Sequence, residues 1–112
     1  MEPILKSILE NKTENYLLPF FWQHDGHDAE IPARVQKIYE SGCRAFCVES
    51  RPYEHFCEDA WWKTMDIILA EAEKRGMRVW ILDDKHFPTG YANGILAVSY
   101  THLRAHETLA NL

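Results

Sequence analysis

Four apolar residues in a row, Val79-Trp80-Ile81-Leu82, run straight into two carboxylates, a lysine and a histidine, Asp83-Asp84-Lys85-His86. A short unbroken apolar run with β-branched and aromatic members predicts a strand buried on both faces, and such strands belong to parallel sheets. Pro88-Thr89-Gly90 and Gly94 follow as turn residues. In parallel α/β architectures ligands bind beyond the carboxyl ends of the strands, so Asp83, Asp84, Lys85 and His86 fall where chemistry is expected. Any one of them is also what a strand-to-helix loop ordinarily carries. It is the succession of four that points to a site.

The same pattern occurs twice upstream. Tyr16-Leu17-Leu18-Pro19-Phe20-Phe21-Trp22 is an apolar run that ends in Gln23-His24-Asp25-Gly26-His27-Asp28. Pro19 removes one ladder hydrogen bond, which predicts a strand with an irregular start. A helix is expected next, with Asp28 as N-cap, Pro32 in the first turn, and Ile31, Val35, Ile38 and Tyr39 on one stripe. Ser41-Gly42 closes it, Gly42 supplying a left-handed C-cap. Arg44-Ala45-Phe46-Cys47-Val48 reads as a second strand, ending at Glu49-Ser50-Arg51-Pro52. After a loop at residues 53–56, a longer helix starts at Glu58 or Asp59 and ends at Arg75. Trp61, Trp62, Met65, Ile68, Leu69 and Ala72 form its wide apolar face, Glu71 and Arg75 an i,i+4 pair, and Gly76 its cap. Ahead of all this, Ile4, Leu5, Ile8 and Leu9 predict a short amphipathic helix over residues 3–10, with residues 11–15 as a polar linker.

The order strand, helix, strand, helix, strand defines an α/β chain. Phe20, Phe46 and Val79 are spaced for one helix and two short loops between successive strands. Right-handed crossovers place both helices on one side of a sheet ordered 1-2-3. A sheet covered on one face only leaves strand faces rich in Phe and Trp bare. The natural completion is an eightfold barrel, so the expected fold is an incomplete (β/α)8 TIM barrel: its first three parallel strands with two crossover helices. A flavodoxin-like open sheet is the alternative, but it brings a glycine-rich phosphate loop after the first strand, and Gln23-His24-Asp25-Gly26-His27 is not one.

A chain of 112 residues is long enough for one small domain with a modest core. The net charge of −5 and the lack of a basic run argue against nucleic acid and anionic membrane as partners. No apolar run approaches the ~20 residues that span a bilayer, and Met1-Glu2-Pro3 does not open a signal peptide. Cys43, Cys47 and Cys57 are odd in number, and no spacing suits a disulfide or zinc knuckle. A reducing, cytoplasmic setting with buried thiols is the simplest account. His24 and His27 with Asp25 and Asp28 present loop-borne ligand types, but without a partner at fixed spacing they read as solvated turn residues. No metal and no cofactor are expected.

Three segments together carry a family resemblance: Phe20-Phe21-Trp22-Gln23-His24, Val48-Glu49-Ser50-Arg51-Pro52, and residues 80–94. They resemble the opening of a bacterial glycoside hydrolase catalytic barrel, the nearest group being the large α-L-rhamnosidase-like enzymes. In that group a strand ends in an acidic pair followed by an aromatic-Pro-Ser/Thr-Gly-aromatic-Ala-x-Gly loop. Asp83, Asp84, Phe87, Pro88, Thr89, Gly90, Tyr91, Ala92 and Gly94 match it, while Lys85-His86 departs from the acidic or amide residues found there. The resemblance covers about residues 3–97. It implies a carbohydrate substrate, bound by Trp22, Gln23, His24, Glu49, Arg51, Asp83, Asp84, Lys85, His86 and Tyr91, with Trp22 and Tyr91 offering ring faces.

Glycoside hydrolysis requires two carboxyl groups ~5–5.5 Å or ~6.5–9.5 Å apart. Glu49 with Asp83 or Asp84 is the available pair. In the family, however, the catalytic pair comes from later strands, so this polypeptide is expected to lack both that pair and the remainder of its own barrel. Beyond Ala97, residues 98–112 (Val98-Ser99-Tyr100-Thr101-His102-Leu103-Arg104 and onward) resemble a translated sequencing adapter. The expected division is a helix and linker at 1–15, a partial barrel at 16–97 and a non-native tail at 98–112. Two other readings remain open: a small self-associating α/β binding module, and a metal-dependent barrel enzyme such as a sugar isomerase.

Overall fold

The computed structural model describes residues 2–10, 17–86 and 89–95. Expectations for the linker at 11–15, for Tyr16, for Phe87 and Pro88, and for the tail at 98–112 lie outside the described residues. Helix α1 covers Pro3–Leu9 and buries none of its side chains. Strand β1 is Phe20–Trp22, helix α2 Ile31–Glu40, strand β2 Ala45–Glu49, helix α3 Asp59–Lys74 and strand β3 Arg78–Ile81.

The protein is mixed α/β, with one parallel sheet in the order β1-β2-β3 and a helix in each crossover. The register aligns Phe20 with Cys47 and Cys47 with Trp80, and Phe21 with Val48 and Val48 with Ile81. Alternation along each strand therefore divides the sheet into two unlike faces. Phe21, Phe46, Val48 and the half-buried Val79 face the helices. They pack with Ile31 and Val35 of α2 and with Trp61, Met65, Ile68 and Ala72 of α3 in one core. On the opposite face Phe20, Trp22 and Trp80 are 64%, 57% and 58% exposed.

Local chemistry accounts for the helix limits. Pro32 lies in the first turn of α2, where its missing N–H costs nothing. The Ser41 hydroxyl donates to Ile38 O at the other end, and Gly42 turns away with φ +95°. Gly76, φ +65°, releases the chain after α3, and Met77 N–H reaches back to Ala72 O.

Two expectations are corrected. Asp28 opens a 3₁₀ turn, Asp28–Glu30, ahead of α2 and does not cap the helix. Its carboxylate accepts a hydrogen bond from the Thr64 hydroxyl instead (2.7 Å), which ties this turn to α3. Strand β3 is not buried on both faces: Arg78, Trp80 and Ile81 are exposed. It is an edge strand of a sheet covered on one side, so only the central strand β2 has the burial that its apolar run suggested.

Candidate functional site

The carboxyl ends of the three strands lie side by side because the strands are parallel and in register. Gln23 N–H donates to Glu49 O, and Leu82 N–H to Val48 O. At the tip of β2, Glu49 is 5% exposed and both of its oxygens are engaged. Oε2 accepts from the Trp22 indole Nε1 (3.2 Å), and Oε1 pairs with the Arg51 guanidinium (2.9 Å). The carboxylate thus holds one edge of an indole whose ring remains open to solvent, a geometry suited to stacking on the apolar face of a sugar ring.

Gln23, one residue beyond Trp22, is turned to the helix side and is 1% exposed. Its Oε1 accepts from the Ser50 hydroxyl (2.9 Å), which in turn accepts from Trp61 Nε1 (2.7 Å). This relay ties β1, β2 and α3 together beneath the rim. His24 turns toward α2, where it lines a groove with Arg34 and Lys37, and its ring lies 5.6 Å from that of His27. Neither side chain joins the Trp22–Glu49–Arg51 group.

Beyond β3 the acidic pair shapes the loop that follows. Asp83 Oδ1 accepts from Gly90 N–H (2.9 Å). Asp84, 2% exposed, accepts from Tyr91 N–H (3.2 Å) with Oδ2 and from Asn93 N–H with Oδ1. The clamped segment passes through left-handed backbone at Gly90, Ala92, Asn93 and Gly94, and it presents the Tyr91 ring 64% exposed. Local carboxylate bonds of this kind stabilise backbone that non-glycine residues otherwise avoid. Lys85 Nζ donates to Glu54 O (3.2 Å). With His86, Pro52 and Tyr53 it frames a groove of about 110 Å³ between the β2 and β3 loops.

The structure therefore brings the predicted residues together as two groups, Trp22–Glu49–Arg51 and Asp83–Asp84–Tyr91, with Lys85 and His86 beside the second. Of the three catalytic candidates, Glu49 and Asp84 commit both oxygens to neighbouring donors. Asp83, which is exposed, accepts through Oδ1, and among the described residues its Oδ2 has no such bond. Among the described residues no three His, Cys, Asp or Glu side chains converge on a metal position, and no helix is long and apolar enough to cross a membrane.

The sequence reading missed Ser50, Trp61, Tyr53 and Thr64 as parts of the rim's support. Tyr53 is 3% exposed, and its hydroxyl bonds the Thr64 hydroxyl (3.0 Å); burial pushes its phenol pKa upward. Thr64 falls beside the apolar stripe of α3, and that position was the available signal. No family model, curated protein or solved structure matches the chain.

Proposed function

We propose that this chain is the opening segment of a (β/α)8 barrel that acts on carbohydrate, as a glycoside hydrolase similar to the α-L-rhamnosidase-like enzymes. In this reading it supplies a sugar-binding wall and not the acid–base pair. The observation that carries it is the Trp22–Glu49–Arg51 arrangement at the strand tips: an exposed indole fixed by a buried carboxylate. Tyr91, set by Asp84, offers a second ring face, while Asp83, Lys85 and His86 supply polar groups near it. The bare sheet face of Phe20, Trp22 and Trp80 is what the interior of a closed barrel would cover.

Sugar binding is tested by titrating the isotopically labelled chain with L-rhamnose and other neutral monosaccharides, following the indole N–H resonances. The Trp22 signal, assigned with Trp22→Phe, moves saturably while the Trp61 signal stays in place. An unmoved Trp22 signal across the panel would sink the reading. Aryl-glycoside hydrolysis is expected to be absent; turnover abolished by Asp83→Asn would show instead that the pair is already present.

A further inference from the structure

Among the described residues the sheet has two open edges, at β1 and β3, and their flanks differ in character. In a parallel ladder the N–H and C=O of one residue point to the same neighbouring strand, and alternate residues point to opposite neighbours. Pro19 O accepts from Cys47 N–H and Gln23 N–H donates to Glu49 O, so Phe20 and Trp22 direct their main-chain groups away from β2. Arg78 N–H donates to Arg44 O and Leu82 N–H to Val48 O, so Val79 and Ile81 direct theirs outward from β3.

Beside β1 runs a groove of about 380 Å³. Its apolar lining is Phe20, Phe21, Trp22 and Ile38, and His24, Arg34 and Lys37 stand along it. Glu30 pairs with Arg34 (2.6 Å), and among the described residues the exposed Lys37 has no carboxylate partner. On α3, Trp61, Met65, Ile68 and Ala72 face the sheet, and Thr64 and Glu71 lie toward α2 through Asp28 and the Arg75–Gln36 bond. At about 100° per residue the opposite flank carries Trp62 and Leu69 with Asp66 and Glu73. All four are exposed.

We propose that the chain associates head to tail with copies of itself, the cationic groove beside β1 of one copy receiving the acidic β3–α3 flank of the next. Strand β3 of one copy adds in parallel to the free edge of β1 in its neighbour, continuing the sheet in its own sense. On the helix side Trp62, Leu69 and Ile81 lie toward Phe21 and Ile38, and Asp66 and Glu73 toward Arg34 and Lys37, while on the opposite face Trp80 continues the row of Phe20 and Trp22. The two surfaces are unlike, so each joint leaves one groove and one flank free, and assembly passes beyond a dimer. This inference does not depend on sugar binding.

Sedimentation velocity of the full chain over a concentration series tests it, with two charge-reversed variants, Arg34→Glu/Lys37→Glu and Asp66→Lys/Glu73→Lys. The unaltered chain grows past dimer, and less readily at high salt. Each variant alone needs roughly tenfold more protein to assemble, because like charges then face each other. An equimolar mixture of the two assembles again, and the variants keep the parent far-UV circular dichroism. A chain that stays monomeric, or that associates equally well with either flank reversed, would overturn the proposal, as would a mixture no more associated than its components.

Discussion

Glu49 is a site-like carboxylate whose bonds make it a positioning group. With Oε1 on Arg51 and Oε2 on Trp22, it orients two neighbours at the strand tips. Glu49→Gln keeps the shape but weakens the ionic bond, leaving a nearly buried amide beside the guanidinium. The expected cost is about 1–2 kcal/mol in urea unfolding, with a displaced Trp22 indole resonance. The thiol of Cys47, on the same face, is pushed up by burial first and by the nearby Glu49 second. Elsewhere Glu71 is held below the usual carboxylate range, chiefly by Arg75 and then Lys74. A depressed folded value means that the stabilisation is complete above the unfolded carboxylate value, ~4.3, and is lost as pH falls through the folded one. Glu71→Gln is therefore less stable than the parent at neutral pH, and the gap narrows on acidification. Denaturant midpoints measured from neutral pH downward check this.

At the scale of elements, the two faces of the sheet carry different energies. Phe46 lies in the core with 0% exposure, and Phe46→Ala is expected to cost about 3–5 kcal/mol. Trp80 contributes little to that core, so Trp80→Ser changes stability by about 0.5 kcal/mol or less while raising solubility. Paired urea melts separate the two cases. The loop after β3 is held by Asp83 and Asp84, and Asp84→Ala should speed amide exchange at Tyr91 and Asn93 while leaving the amides of β2 protected.

Much of this layer was legible in the sequence, because Pro32, Gly42 and Gly76 punctuate the chain where φ or a missing N–H demands it. The exposure of β3 was not legible. An apolar run reports that a strand suits burial on both faces, not whether both faces are covered. Asp28 misled for a related reason: its side chain met Thr64, far along the chain, instead of the nearest helix N–H groups. The loop clamp made by Asp83 and Asp84 was not legible either, because a carboxylate that holds a loop and one that meets a ligand are the same residue type at the same strand end. The clamp shows only in the positions of the Gly90, Tyr91 and Asn93 amides.

At the scale of the whole molecule, one face of a three-stranded parallel sheet is covered by α2 and α3, and the other presents Phe20, Trp22 and Trp80. The rim, the open edges and the proposed assembly all follow from that asymmetry. Hydroxyl-radical footprinting of the dilute chain, read residue by residue by mass spectrometry, tests it most directly. The account predicts rapid modification of Phe20, Trp22 and Trp80 and protection of Phe46 and Trp61. Protection of Trp22 and Trp80 to the level of Trp61 in the monomer would contradict it.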